Sequence, residues 1–371
     1  MTLSDSFLPI AALLFLLPLN PTLSTLPVLA WVLLQLIFAP ANTRLFAWAF
    51  VFVLLLFGRS WLLNEMYHPI SSEDGLIFVG ALFAAACVPP NRWPNLLRFL
   101  LLVLPMLLFQ VGSKPWTPNP MVGANQGAYL IGLILLVSYA CFLQNKQSFP
   151  QRLLAAIATL LAALLVWQTG SRAALVAALI SAASLWIYQG CFLRVRLKRC
   201  LMFFVVGAFA LAAKQFLRPS MTGIPGIDIS SDTGRLAIAQ CYAAIPFSGS
   251  NRFLYGVGFD RAAEFCSDPV HGGVADHAHN LYLQLFASTG VFGVFGMVLL
   301  LILLLQAWRS LPVEMDPFPL VASQLAMVYT LIQGFLDLSS VHWPVTLVFT
   351  GVLLGIPLSW HITRPNASFQ N

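Results

Sequence analysis

Two histidines and an acid stand just ahead of a long apolar run in DHAHNLYLQLFASTGVFGVFG, residues 276–296. His279 sits at the junction. The positive end of a helix disfavours imidazolium, so a neutral imidazole is expected there near pH 7. A neutral imidazole can take a proton from a hydroxyl group, which is general-base chemistry. Asp276 or Asp268 could orient it, and spacing does not choose between them. A capping histidine bonded to backbone is the plainer alternative. Asn280, Gln284 and Ser288 recur every four residues, so on a helix they share one face. Polar groups at such a depth are costly unless satisfied or used, and this face is expected to line a polar cavity. His271, His277, His279, Cys266 and Asp276 could instead hold a metal. The H-x-H spacing fits a strand better than a helix face, and no second ligand pair with usual spacing follows, so no metal is expected.

Arginines supply the second chemistry. In QTGSRAALVAALISAA, Gly170 ends one apolar helix and Ser171 can cap the next, which puts Arg172 in its first turn. A cation there opposes the helix dipole, and an anion bound at that N-terminus would offset the cost. An arginine reaching lipid headgroups is the competing explanation. Arg235 has the same awkward place after Thr233-Gly234, and the two could form a clamp, unless Arg235 merely pairs with Asp228 or Asp232. The guanidinium fork grips phosphate in two places and keeps its charge, so a phosphate or pyrophosphate ligand is expected first.

The elements that must carry these residues are membrane helices. The chain has 371 residues, of which 59% are hydrophobic and 9% charged, and its mean hydropathy is +0.84. Soluble domains carry about 25% charged residues. Apolar runs at 6–19, 22–38, 44–63, 75–88, 95–111, 124–143, 152–168, 171–189, 199–217, 279–307, 318–335 and 343–361 predict an all-α polytopic membrane protein with about 12 spanning helices. The first two runs, split at Asn20-Pro21, could instead form a hairpin that does not span. The N-terminus lacks a basic stretch and a cleavage site, so it is expected to remain as a helix. The six cysteines show no CxxC spacing, which argues against structural zinc.

Charge sets the orientation. With the N-terminus in the cytoplasm, most lysines and arginines fall inside, most densely in RVRLKR at 194–199, and most acids fall outside. Residues 1–217 then hold the first nine helices, 218–278 form a large outer loop, and 279–371 hold the last three helices and a short cytoplasmic tail. The loop is expected to carry a helix from Arg235 to about Ala244, capped by Ser231–Gly234. Ile238, Tyr242 and Ile245 would rest it on the membrane. Loops of this length in compact proteins are usually functional. Cys241 and Cys266 lie in a compartment that permits disulfides, and pairing and two free thiols are both open. Arg59, Lys114, Arg172, Lys214, Arg218, Arg235, Arg252 and Arg261 stay at the outer side, against the trend, which again suggests an anionic ligand.

Three stretches resemble the O-antigen ligase and polymerase superfamily of bacterial membrane glycosyltransferases, the Wzy-C type. TGSRAALVAAL at 169–179 is similar to its S-R helix start. TGRLAIAQCYAAIP and LYGVGFDRA, within 233–262, are similar to its G-R segment and the G-x-G-F/W turn that follows. HAHNLYLQLFASTGVFG at 277–293 is similar to its H-N-x-x-L-Q signature, and NPMVGANQGAYL at 119–130 is a weaker match. The resemblance implies a GT-C type fold in a Gram-negative inner membrane, with the active site on the periplasmic face. It implies transfer of a glycan from undecaprenyl pyrophosphate to a hydroxyl acceptor with inversion, without metal or cofactor. Carried over, Arg172 and Arg235 would bind the pyrophosphate and stabilise the leaving group, and His279 would activate or position the acceptor hydroxyl. Beside them, Arg252, Arg261, Asn280 and Gln284 are candidates for holding donor or glycan, and for Arg252 and Arg261 merely folding the loop stays open. One departure stands out. Relatives that glycosylate pilins often carry a His-Ser pair and an acid before a late aromatic-Pro, whereas LSSVHWP at 338–344 lacks both.

Ligation onto lipid A-core is therefore the first expectation. Polymerisation of lipid-linked repeats comes next, and protein O-glycosylation third. Membrane lipids are the other expected partners, and nucleic acid is not one. From a different class, a transporter of lipid-linked glycan would place its site near the midplane, often in repeats. Here the charged candidates cluster at one surface and no repeat is visible.

Overall fold

The computed structural model describes residues 124–144, 148–188, 229–258, 261–266, 277–309, 317–338 and 344–363, with shorter stretches at 78, 81–82, 84–86 and 88–98. Within them the long elements are α1 (Ala124–Phe142), α2 (Phe149–Gln168), α3 (Arg172–Tyr188), α4 (Ile229–Ala244), α5 (Ser250–Tyr255), α6 (Leu281–Arg309), α7 (Pro317–Leu336) and α8 (Pro344–Thr363). No strand occurs among the described residues. Among the described residues four helices, α1, α2, α6 and α7, are long and apolar enough to cross a membrane, and α3 and α8 contain shorter apolar stretches. The apolar runs before residue 78, the run at 199–217 and the RVRLKR segment lie outside the described residues.

Each helix buries the face its sequence provides. In α1 nearly every side chain is apolar, and the helix is mostly enclosed, with Tyr129, Leu133 and Leu136 fully buried. In α2 the alanines and Val166 do the packing: Ala155, Ala158, Ala162 and Val166 turn inward. Leu153, Ile157, Leu160 and Leu164 stay exposed. Small residues at the contact let helix backbones approach, which is how helices associate where lipid offers no hydrophobic drive. The bundle is also pinned by polar side chains. The Tyr129 hydroxyl lies 2.7 Å from Thr330 Oγ1 and 2.9 Å from Thr350 Oγ1, which links α1, α7 and α8. Trp93 Nε1 donates to Ser359 Oγ at 3.0 Å.

Contacts fix which helix ends lie together. Ala128 and Ile131 of α1 pack with Ala162 and Val166 of α2 and Ala174 of α3. Tyr129, beside them, reaches Thr330. Further along α3, Ser181 donates to the Leu325 carbonyl, which is further back along α7. Helices α3 and α7 therefore run antiparallel, and the start of α3 shares one end of the bundle with the end of α7. Asn280 Nδ2 donates to the Phe335 carbonyl at 3.0 Å and Tyr282 Oη to the Leu331 carbonyl at 2.7 Å, which brings the start of α6 to the same end.

The segment between α3 and α6 differs from expectation in two respects. Helix α4 begins at Ile229, so Ser231–Gly234 lie within it and Arg235 is in its second turn. Its apolar residues also do not rest on lipid. Ile238, Tyr242 and Ile245 form a small core with Val257, Ala262, Cys266, Ala278 and Ala287. Tertiary packing against the start of α6 outweighs the local start signal, which is a weak prior.

Candidate active site

His279 is placed by three separate constraints. Its own φ is +51°, the only positive value at a non-glycine residue among the described ones. That left-handed conformation is uncommon for residues with a Cβ and turns the chain sharply before α6. Asn280 then caps the helix: its Oδ1 accepts from the Tyr282 and Leu283 N–H groups, both at 3.0 Å. The Asn280 bond to Phe335 ties this corner to α7. Gln284 completes the support, since its Oε1 accepts from the Ala278 N–H at 3.0 Å and its Nε2 donates to Ser288 Oγ at 3.3 Å. The polar face predicted from the four-residue spacing is thus present, and it anchors the segment carrying His277 and His279.

What His279 faces is an acid that spacing did not suggest. Asp337 follows the last turn of α7, where its N–H donates to the Gln333 carbonyl at 2.8 Å. Its Oδ1 lies 3.7 Å from His279 Nδ1, and the two side chains are 6% and 25% exposed. That separation is beyond a hydrogen bond and close enough for a strong charge interaction. Asp268 and Asp276, the acids expected to orient the histidine, lie outside the described residues, as do His271 and His342. Asp337 directly precedes the LSSVHWP stretch in which an acid was missing. The signal that would have found it is an ionisable residue at the end of a spanning helix, which is rare unless used. The His277 ring stands edge-on to His279 with centroids 4.2 Å apart. Together His277, His279 and Asp337 bring possible ligand atoms within 4.8 Å of one another.

The arginines divide into two groups. Arg172 begins α3, and Ser171 Oγ accepts from the Ala174 N–H at 3.4 Å, a long version of the expected cap. By the helix pairing above, Arg172 is at the His279 end of the bundle. Arg172 and Arg235 are both exposed. Arg252 and Arg261 are engaged within their own segment. Arg252 Nη1 donates to Ser248 Oγ at 2.8 Å and its guanidinium lies 4.7 Å from the centre of the Phe265 ring. Arg261 Nε is 3.7 Å from Glu264 Oε2.

Two devices fix that segment, one within it and one against α6. Cys241 and Cys266 form a disulfide, which joins α4 to the 3-10 turn Arg261–Phe265. The second is a break in α6 at Gly290, φ +63° and ψ −162°. There the Val257 and Gly258 N–H groups donate to the Ala287 and Ser288 carbonyls at 3.0 and 2.8 Å. The break frees carbonyls and the G-x-G turn satisfies them, as an apolar setting requires. The approach is backbone against backbone. A Cβ on Gly290 would stand 2.5 Å from the Leu254 carbonyl carbon, and one on Gly256 would overlap the Ser288 carbonyl group. Both glycines have positive φ. The GVG sequence, residues 256–258, is therefore a wedge in the helix that carries His279.

No curated protein matches the chain closely enough to report. A family model does match: residues 156–298 fit the one described as O-antigen ligase, Wzy_C. The matched stretch contains Arg172, Arg235, His279 and the Gly256–Gly290 contact, and it stops short of Asp337. With helices long and apolar enough to span a membrane on one side and this match on the other, residues 156–298 of the chain are similar to the O-antigen ligase family of membrane proteins.

Proposed function

We propose that the protein is an inverting membrane glycosyltransferase that moves a glycan from undecaprenyl pyrophosphate to a hydroxyl acceptor, and that the acceptor is lipid A-core. The observation that carries this reading is the pairing of His279 with the buried Asp337 at the bundle end where Arg172 opens α3. A histidine faced by a carboxylate can take a proton, because the carboxylate stabilises the imidazolium that forms. An arginine at a helix N-terminus suits an anionic leaving group.

The chemistry follows in one displacement. His279 removes the proton from the acceptor hydroxyl as its oxygen attacks the anomeric carbon. The bond from that carbon to the pyrophosphate oxygen breaks, and the electron pair leaves with undecaprenyl pyrophosphate. Arg172 and Arg235 balance the charge that develops there. The donor is already activated, so positioning and charge stabilisation can supply most of the rate. Asn280 and Gln284 contribute by fixing the His279 corner, and Arg252 and Arg261 by shaping the segment that carries Arg235. On this reading 1–217 and 279–371 form the membrane body, 218–278 the periplasmic segment, and the site opens to the periplasm of a Gram-negative inner membrane.

The test is transfer by the purified full-length protein, with chelator present. Undecaprenyl-pyrophosphate glycan is offered with lipid A-core, with carrier-linked repeats, or with pilin. Product on lipid A-core, lost in Arg172→Ala and His279→Ala, is the expected result. Longer carrier-linked glycan would make the protein a polymerase, and glycosylated pilin a protein glycosyltransferase. No product with any acceptor, from folded protein, would remove the transferase reading and leave transport of the lipid-linked glycan.

A further inference from the structure

The acceptor-activating reading uses His279 and Asp337 but leaves His277 unexplained. His277 stands beside His279, with ring centroids 4.2 Å apart and an interplanar angle of 62°. The Nδ1 atoms of both rings are buried, and neither has a hydrogen-bond partner among the described residues. Asp337, 4% exposed, brings a carboxylate to the same point from the end of α7. The ligand atoms of the three residues lie within 4.8 Å of one another. Two imidazoles and a carboxylate from two separate elements are a donor set, not simply a charged patch.

We propose that His277, His279 and Asp337 form a binding site for a divalent transition ion, Zn²⁺ foremost, and that the bound ion inhibits glycan transfer. Imidazole nitrogens select zinc and its neighbours over magnesium and calcium, which take oxygen ligands. Zinc sits about 2.0–2.2 Å from nitrogen and carboxylate ligands, so its donors are roughly 3.3 Å apart. The donor atoms, now within 4.8 Å of one another, need to close by about 1.5 Å at most to reach that spacing. The main-chain corner is already set by the left-handed His279 and the Asn280 cap. Three protein ligands leave a position open to water, as at other open zinc sites.

The inhibition rests on the transferase reading above; the binding does not. Transfer needs the His279 lone pair to accept the hydroxyl proton. An ion coordinated by that ring occupies the lone pair and also draws the Asp337 charge away from the imidazole. Catalysis is then metal-free, and the ion competes with the proton for one nitrogen.

The experiment uses the full-length protein in lipid nanodiscs, stripped with chelator and titrated calorimetrically with ZnCl₂. We expect one ion per chain with micromolar or tighter affinity, and no saturable heat with MgCl₂ at the same concentrations. His277→Ala and His277→Gln should each weaken binding at least tenfold, and so should Asp337→Asn. Zn²⁺ should raise the melting temperature of the parent protein and not that of the His277 variants, whose own melting shows that they fold. In the transfer assay, saturating Zn²⁺ should cut turnover at least tenfold, chelator should restore it, and His277→Gln should keep turnover in the presence of the ion. Absence of saturable binding, or equal affinity in both folded His277 variants, overturns the site. Binding with unchanged turnover overturns the inhibition. If chelator-treated protein transfers to no acceptor, the transferase reading fails, and the calorimetry still decides the site.

Discussion

Asp337→Asn separates charge from shape at the site. The side chain keeps its size, and only the carboxylate facing His279 is lost. At 3.7 Å, a full charge pair is worth about 4 kcal/mol at an effective dielectric of 20. His279 is 25% exposed, so some of that is screened, and about 2 to 4 kcal/mol is the reasonable range. The energy acts only when the imidazole carries a proton, which in the proposed displacement is during and after attack. The variant should therefore lower kcat by about 30- to 1000-fold while changing the donor KM little. Stability should not fall. Replacing a nearly buried carboxylate by its amide removes a desolvated charge, so the melting temperature should stay or rise. Single-turnover transfer with saturating acceptor, alongside thermal melting in the same detergent, reads both quantities. A folded Asp337→Asn protein within threefold of the parent kcat would refute the role given to this pair. A matching drop in melting temperature would make Asp337 a structural residue instead.

Three further outcomes follow from the supporting structure. Gly290→Ala forces a Cβ into the Leu254 carbonyl carbon at 2.5 Å with φ at +63°. It should cost about 1–3 kcal/mol from backbone strain alone, and it should lower both melting temperature and transfer. Opening the Cys241–Cys266 bridge by Cys266→Ser frees a loop of sequence separation 25, worth about 3.5 kcal/mol by loop-closure entropy. Hydrogen exchange should speed up across α4 and leave α1 unchanged. Gln333 is fully buried with neither amide atom hydrogen-bonded, so Gln333→Leu should raise stability by about 1–3 kcal/mol in a melting assay. A loss of that size would mean that the amide is satisfied in the membrane.

The long apolar helices were legible in the amino-acid order alone, because spanning lipid demands long apolar runs with every backbone group bonded inside the element. The extents expected for α1, α3 and α7 differ from the observed ones by at most one residue at either end. Arg172 beside a helix start and His279 beside another were equally legible, since both follow from local order along the chain. Even the four-residue spacing of Asn280, Gln284 and Ser288 gave the right face, although it could not tell a ligand cavity from an internal anchor. Other features needed the tertiary structure. Asp337 meets His279 only because α7 returns to the end where α6 starts, and nothing local links the two. The pairing of Cys241 with Cys266, open in the sequence, depends on α4 folding over the start of α6. Ile238, Tyr242 and Ile245 face protein instead of lipid for the same reason: an apolar stripe records that something covers it, and only packing selects what. The GVG wedge is the clearest case. Its glycines read as a turn, but they are required because another backbone passes within a few ångströms, at a break in a helix that periodicity alone had drawn as continuous.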